Sequence, residues 1–327
     1  MKFLIRADAT RKMGVGHVLR CLALAEEMLD KDCEIVFVGD TTELPWLSEK
    51  VLKFGLLQSF RTGFEFWGDR SEYILILDSY VIPKEDLFIT KSDWKGVIAF
   101  VDEDTPNYEA DLYIGALISS AWVKMNEIPE KNLLKGFEFL PIRKSLHEIK
   151  KALSLNTIAS GKVEISKIKT IIVVGGGADA NDFCKHIAKI LLQIEFPFRA
   201  LLFTNSIFPA DERFSFLEIG SALDTSLPEA DVIFTTSGTS VWEFLYLGIP
   251  MGFAQAAQNQ NRNYQILSTI EGCTEIGFFD QVSGWHLSSE KILSTIKDSQ
   301  YRRIEMVDID GFGVSRIFEE MKKRFRF

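Results

Sequence analysis

Short runs of continuous apolar residues alternate with stretches of helical spacing along most of the chain. Lys2-Phe3-Leu4-Ile5-Arg6 reads as a first strand. Val18 to Met28, with Leu19, Leu22, Ala23, Glu26 and Glu27 at helical spacing, reads as the helix after it. Cys33 to Val38 is a second strand and Glu43 to Phe54 a second helix. Tyr73-Ile74-Leu75-Ile76-Leu77-Asp78 and Val97-Ile98-Ala99-Phe100-Val101-Asp102 are apolar runs that each end in an acid, and Asp111 to Gly115 is a last short strand. Such runs, set between helical patterns, fit parallel strands covered on both faces.

The pattern loosens from Asn126 to Ser166, where Pro141 argues against one uninterrupted helix, and then restarts. Lys169 to Val174 is a strand, followed by Gly175-Gly176-Gly177-Ala178-Asp179-Ala180-Asn181 and a helix to Leu192. Arg199 to Thr204, Ser215 to Ile219, Asp231 to Thr235 and Pro250 to Ala254 read as strands. A helix to Leu247 follows Thr236-Ser237-Gly238-Thr239-Ser240 and is stopped by Gly248 and Pro250. Asn259 to Ile270 is a helix, and helices from Ser289 and Gly313 close the chain. Both halves alternate strand and helix. The expected fold is α/β: two Rossmann-like domains, 1–150 and 151–327, facing each other across a cleft.

Composition narrows the function. A chain of 327 residues is too long for one ordinary core. Hydrophobic residues at 46% and charged ones at 25% are those of a soluble globular protein. A net charge of −9 without a Lys/Arg-rich block argues against nucleic acid or an anionic membrane as partner. A small anionic ligand stays open, because helix N-termini hold phosphates without surplus lysines. Cys21, Cys33, Cys184 and Cys273 are scattered with no CxxC pair, so neither a zinc site nor a disulfide framework is expected, and free thiols point to a reducing cytosol. The chain opens directly on a strand, with no signal peptide expected, and no apolar run approaches the ~20 residues of a membrane span. The oligomeric state is not legible; a monomer is compatible.

Candidate chemistry gathers at strand ends. Gly14, Gly16 and His17 fall where the first strand turns into its helix, the place where open α/β sheets bind ligands. The glycines allow a tight turn and close approach. His17 can act there as a base, or serve only as a capping or packing residue. Asp78, Ser79, Tyr80, Asp102 and Glu103 stand at the ends of neighbouring strands, near the same crevice, where an acid equally caps a helix. In the second half, Gly175-Gly176-Gly177 and Thr236 to Ser240 are small-residue turns at helix starts; neither is a P-loop or a strict dinucleotide fingerprint. The hydroxyls of the second make it a cradle for a diphosphate or a plain cap. Glu243, one helical turn on, is a carboxylate able to accept both hydroxyls of a ribose, or an exposed helix glutamate; Trp242 beside it reads as packing. Gln258-Asn259-Gln260-Asn261-Arg262-Asn263 suits sugar hydroxyls and phosphate oxygens, or a solvated turn.

Taken in order, the combination is more specific than its parts: Arg6-x-Asp8, Gly14-x-Gly16-His17-x-x-Arg20-Cys21, Asp78-x-Tyr80, Asp102-Glu103, Asp111, Gly175-Gly176-Gly177, Ser237-Gly238-Thr239, Trp242-Glu243 with Gly248-Ile249-Pro250, Ala257-x-Asn259-Gln260, and Asp310-Gly311-x-Gly313-x-x-Arg316-Ile317. Over nearly its whole length the chain resembles the UDP-sugar hydrolases of pseudaminic acid biosynthesis. These share the GT-B fold with the glycosyltransferase that adds GlcNAc to the lipid-linked peptidoglycan precursor. The resemblance implies an N-terminal domain holding the sugar and a C-terminal domain holding UDP. It implies cleavage of the anomeric bond to UDP in UDP-2,4-diacetamido-2,4,6-trideoxy-β-L-altropyranose, without metal or cofactor. His17 matches the base for the attacking water, and Tyr80 and Asn259 match residues near the reacting sugar. Arg6, Asp8, Gly14, Gly16, Arg20 and Asp102 would line the sugar. Gly176, Gly177, Ser237, Gly238, Thr239, Ser240 and Gln260 would hold UDP, with Glu243 on the ribose. Ser237 stands where the family usually has glycine, and Glu103 where it usually has aspartate.

The chemistry is coherent. UDP leaves as a stable anion and needs dipoles rather than a strong acid, and a single imidazole can deprotonate water on the opposite face, which predicts inversion. An ordinary glycosidase uses two carboxylates instead. Two other readings share these residues: a GT-B glycosyltransferase passing the sugar to an acceptor, and a UDP-sugar binding protein without turnover.

Overall fold

The computed structural model describes residues 1–53, 57–59, 66, 68–160, 168–206, 211–220, 223–299 and 309–327. The chain divides into two compact units, Met1–Ile142 with Asp308–Phe327, and Arg143–Val307. The first unit contains β1 (Lys2–Ala7), α1 (Gly16–Leu29), β2 (Glu34–Val38), α2 (Pro45–Lys53), β3 (Leu57–Ser59), β4 (Tyr73–Asp78), β5 (Gly96–Phe100), β6 (Leu112–Ile114), α3 (Ser120–Met125) and β7 (Leu133–Leu134). The second contains α4 (Ser145–Ser160), β8 (Lys169–Val174), α5 (Phe183–Leu191), β9 (Phe198–Phe203), β10 (Phe214–Leu217), α6 (Leu223–Ser226), β11 (Val232–Thr236), α7 (Val241–Leu247), β12 (Met251–Gln255), α8 (Asn261–Leu267), β13 (Cys273–Asp280), β14 (Gly284–Leu287) and α9 (Ser289–Asp298). The last helix, α10 (Gly313–Phe325), belongs to the first unit.

Each unit is built on one seven-stranded sheet, with orders β3-β2-β1-β4-β5-β6-β7 and β10-β9-β8-β11-β12-β13-β14. The first is parallel throughout, and the second is parallel except for β14, which runs antiparallel to β13. The apolar runs explain this. Every residue of β4 and β5 is buried, as is β1 beyond Lys2, so these strands need cover on both faces, and crossover helices supply it. In α1, Val18, Cys21, Leu22, Ala25 and Met28 form the buried face.

Each order reverses once, between β1 and β4 in the first sheet and between β8 and β11 in the second. Such a reversal opens a crevice beyond the strands' carboxyl ends. In the first sheet Ala7 pairs with Asp78, which brings the turn after β1 beside the residues after β4. In the second, Val174 pairs with Thr235, which brings the Gly175 turn beside the Ser237 turn.

Three expectations differ. The boundary near residue 150 falls inside α4; the division comes at Arg143, two residues after Pro141, and 161–167 lie outside the described residues. The final helix does not stay with 151–307. Phe325 sits against Gly96, and Phe327 packs edge-on to Phe3 at a centroid distance of 5.7 Å and to Phe318 at 5.8 Å, so the chain's end completes the first core. The expected Asn259–Ile270 helix begins as a 3-10 turn, Gln258–Gln260, before α8. Strands β3, β7, β13 and β14 are additions. Only Ile276 of β13 is buried, so no continuous apolar run betrays that hairpin.

Candidate functional site

In the first unit the turn after β1 is set by Thr10, whose carbonyl accepts from Gly14 N at 2.8 Å and whose hydroxyl accepts from Met13 N at 3.0 Å. Gly14 has φ +88° with nothing within 4 Å of where a Cβ would lie, so the backbone conformation rather than space calls for glycine. Gly16 then opens α1. His17, Arg20 and Cys21 follow at i, i+3 and i+4, one face of the first turns, and all three meet a single carboxylate, Asp78, at the end of β4.

Asp78 accepts from His17 Nδ1 at 2.5 Å through Oδ1, from Arg20 Nε at 2.5 Å through Oδ2 and Nη2 at 2.6 Å through Oδ1, and from Cys21 Sγ at 3.6 Å. The carboxyl is 1% exposed. Burial alone would raise its pKa, but the Arg20 cation and His17 outweigh burial and hold it below the usual carboxylate range, so it is ionised. An ionised partner fixes the proton of His17 on Nδ1 and leaves Nε2 as the basic nitrogen. Burial opposes the Arg20 cation, yet Asp78 and Asp102 raise its pKa. Burial and the Asp78 charge push the Cys21 thiol well up, so it remains a neutral donor.

Tyr80 closes the cluster. Its ring stands edge-on to the His17 ring at 4.2 Å between centroids, and its hydroxyl donates to Asp102 Oδ2 at 2.5 Å. Burial and the Asp102 charge raise the phenol's pKa, keeping it protonated. Asp102 lies 3.6 Å from Arg20 Nη2 and accepts from Asp104 N and Thr105 Oγ1, so it is locked from both sides. Glu103 leaves this cluster and caps α3 by accepting from Ser119 N and Oγ.

Arg6 and Asp8, expected to line the sugar, are buried at 8% and 4% exposure and satisfy each other, with Arg6 Nη1 donating to Asp8 Oδ1 at 2.6 Å. Asp8 also accepts from Asp40 N and Ser79 Oγ. This pair braces the strand ends beneath the crevice. Tyr108 does the same for the loop after β4, donating to the Ser79 and Ile82 carbonyls.

The second unit's crevice is made differently. Ser237 is fully buried, with its hydroxyl 3.3 Å from both the Ala254 carbonyl and Gln260 Oε1, so it organises the turn rather than lining an opening. Gly238, Thr239 and Ser240 are its accessible part. Gln260 Oε1 also accepts from Ala256 N at 2.9 Å, which turns Nε2 the other way, 3.8 Å from where a Cβ on Gly238 would lie. Asn263 Nδ2 donates to the Ser237 carbonyl. Asn259 is exposed on the same 3-10 turn as Gln260. The structure therefore groups His17 with Tyr80 in one unit and Asn259 with Gln260 in the other.

Gly176 has φ +80° and lies beside Thr236 Oγ1, 3.7 Å from where its Cβ would be. The turn it belongs to carries its own acid: Asp179, with φ 45°, accepts from Cys184 N in the first turn of α5 at 3.0 Å. Burial pushes the Asp179 carboxyl up despite its hydrogen bonds. Glu243, in the first turn of α7, is not exposed. Its two oxygens accept from Arg143 Nε at 2.7 Å and Nη2 at 2.8 Å, while Arg143 Nη1 donates to Asp224 at 2.9 Å. Asp78 reads from the sequence as a strand-end acid near the crevice, and the structure makes it the partner of His17 and Arg20. Nothing in the sequence points to Asp224 or Arg143; Arg143 follows Pro-Ile where the helical pattern loosens.

Among the described residues no three His, Cys, Asp or Glu side chains are disposed to hold a metal ion, and no helix is long and apolar enough to cross a membrane.

No family model matches the chain. It is 23% identical over 272 residues to an uncharacterized protein of Methanocaldococcus jannaschii, covering 77% of this chain; it spans about half of that relative's length, 55%. Among solved structures it is similar to the UDP-GlcNAc 2-epimerase of Neisseria meningitidis bound to UDP-GlcNAc, with a TM-score of 0.62 and 11% identity over 99% of this chain and 100% of the other. It is also similar to S. aureus MnaA with UDP (TM-score 0.60, 10% identity, 100% and 97% covered) and to Acinetobacter baumannii MurG (0.52, 12%, 99% and 100%). The fold is thus the two-domain GT-B arrangement of Rossmann-like units found in glycosyltransferases and nucleotide-sugar epimerases.

Proposed function

We propose that the protein hydrolyses a UDP-linked sugar at its anomeric carbon. The observation that carries this reading is the His17–Asp78–Arg20 constellation at the first unit's topological switch point: a histidine whose Nδ1–H is held by a buried, ionised carboxylate. A histidine so oriented offers Nε2 as a general base. Water attacks C1, its proton passes to His17 Nε2, the C1–O bond breaks, and its electron pair leaves with UDP. The imidazolium so formed rests against Asp78. Tyr80, kept protonated, stands beside the base on the sugar side, the resemblance matches Asn259 to a residue near the reacting sugar, and inversion follows from one displacement. Arg20 and Asp102 set the floor of the sugar site.

UDP is assigned to the second unit. The turn at Gly238, Thr239 and Ser240, with Gln260 Nε2, supplies uncharged donors for the diphosphate, and Glu243 accepts from the ribose. Gly176 and Gly177 allow close approach, while Asp179 already occupies the α5 N-terminus. Solved structures of this fold that hold UDP or UDP-GlcNAc support a nucleotide sugar as the substrate class. The diacetamido-trideoxy sugar rests on the sequence resemblance, as do independence of metal and a place in pseudaminic acid biosynthesis in the cytoplasm.

The test is UDP release from UDP-2,4-diacetamido-2,4,6-trideoxy-β-L-altropyranose with chelator present, followed by NMR. Free UDP with the α-anomer supports inverting hydrolysis. Release only on addition of an acceptor favours a transferase using the same base. Intact substrate on a protein that binds it tightly leaves a binding function.

A further inference from the structure

The Arg143–Glu243–Asp224 cluster of the second unit is a half-buried arrangement of one cation and two carboxylates, with Asp224 at its open side. The guanidinium meets Glu243 side-on, with Nε on one oxygen and Nη2 on the other, and its third nitrogen reaches Asp224, which Ser145 Oγ also contacts at 3.0 Å. The Arg143 and Glu243 side chains are 11% and 12% exposed. Two properties follow. Nε, Nη1 and Nη2 are all committed, so Arg143 acts through the groups it holds. The cluster also carries one more negative than positive charge, which suits a neutral hydroxyl-bearing ligand and not a phosphate.

A fork engaging both carboxylate oxygens takes one lone pair from each and fixes the plane of the group. The remaining lone pairs then have fixed directions, spaced to accept from two vicinal hydroxyls. Glu243 lies in the first turn of α7, directly after the turn assigned to the diphosphate, which is where the ribose of the same nucleotide would come. A carboxylate is a known partner of ribose hydroxyls: in dinucleotide-binding folds an acid about 20 residues beyond the diphosphate turn accepts from the ribose 2′-hydroxyl.

We propose that Arg143 is a positioning residue of the nucleotide site: its fork orients the Glu243 carboxylate to accept both hydroxyls of the ribose. This rests on the reading of the second unit as the UDP site. Lysine at position 143 would keep the charge and lose the fork, so orientation is separable from charge.

The experiment is calorimetric titration with UDP and with 2′-deoxy-UDP, the two dissociation constants being compared within each variant. A hydrogen bond to a charged group gives the wild type a preference of ~10–100-fold for UDP. Glu243→Gln removes most of that preference. Arg143→Lys lowers it several-fold, weakening UDP more than 2′-deoxy-UDP, which offers Glu243 only the 3′-hydroxyl, and adds nothing further in the Glu243→Gln background. Should Arg143→Lys fail to fold, Arg143→Gln with Asp224→Asn removes one charge of each sign and gives the same loss of preference. Arg143→Lys that keeps the full preference, or weakens both nucleotides equally, overturns the proposal and leaves Arg143 a helix tie. UDP binding without any ribose preference in the wild type overturns it while sparing the nucleotide site. No UDP binding at all removes the nucleotide site and the proposal together.

Discussion

The two switch points of this chain are topologically equivalent and chemically opposite. Both lie where a seven-stranded order reverses beside its first strand, and both are built from a turn after that strand and a turn after its neighbour. The first collects charge: Asp78 ties His17, Arg20 and Cys21 together, and Tyr80 joins through Asp102. The second meets its opening with glycine, hydroxyl and amide at Gly238, Thr239 and Gln260, and pairs its charge one helical turn on, where Glu243 is held by Arg143. Topology decides where a ligand can sit; side chains at i, i+3 and i+4 of the first helix decide whether anything there can take a proton. In the proposed function the first crevice moves protons and the second holds an anion without competing for them.

Substitutions on the two sides are expected to separate catalysis from binding. His17→Ala is expected to slow UDP release by ~10²–10⁴-fold, the usual worth of a general base, with UDP affinity unchanged by calorimetry. A His17→Ala protein that releases UDP at the wild-type rate would leave the first crevice without a chemical role.

Asp78→Asn probes the same side through stability. It leaves the Arg20 cation, 16% exposed, without its main counter-charge, and losing one partner of a buried pair costs about 3–5 kcal/mol. The folded pKa of Asp78 lies below the ordinary 3.8, so its contribution is present above that pH and is lost as pH falls through the lowered value. Urea denaturation is therefore expected to show a wide gap between wild type and variant at neutral pH that narrows in acid. Gln260→Ala is the counterpart on the other side. Removing one donor to a charged phosphate lowers UDP affinity by ~10–100-fold, with little change in turnover at saturation.

What the sequence disclosed follows the same division. Turns at switch points need small residues, so Gly14-x-Gly16-His17, Gly175–Gly177 and Ser237–Ser240 stand out in one dimension, and fully covered strands advertise themselves as apolar runs. Contacts between distant segments do not. Arg143 meets Glu243 across 100 residues of chain, and nothing local distinguishes it from any linker arginine. The resemblance alone puts Arg6 and Asp8 against the sugar, yet at that depth the two charges are paired with each other. Ser237 looks like a phosphate donor, but the close pairing of its N–H with the Ala254 carbonyl draws it inside. The edge hairpin β13–β14 and the return of α10 to the first unit depend on burial of one face only, a weaker signal than a continuous run.

The smallest expected effect tests whether the second crevice is kept free of unneeded charge. Asp179 is its exception, a buried acid under the glycine turn whose carboxyl is pushed up by burial. A raised folded pKa means that the group favours folding below the unfolded value of 3.8 and disfavours it increasingly as pH rises through the folded value. Asp179→Asn keeps an oxygen to accept from Cys184 N and tolerates the left-handed backbone at φ 45°, so it removes the charge with little else. Thermal melts are expected to show the variant a few degrees more stable at neutral pH, with the gain shrinking toward acid. A gain of equal size at every pH would assign the effect to backbone preference instead. A loss at neutral pH would mean that the Asp179 charge is required by the turn, and the second crevice would then resemble the first in using a buried carboxylate to hold its helix in place.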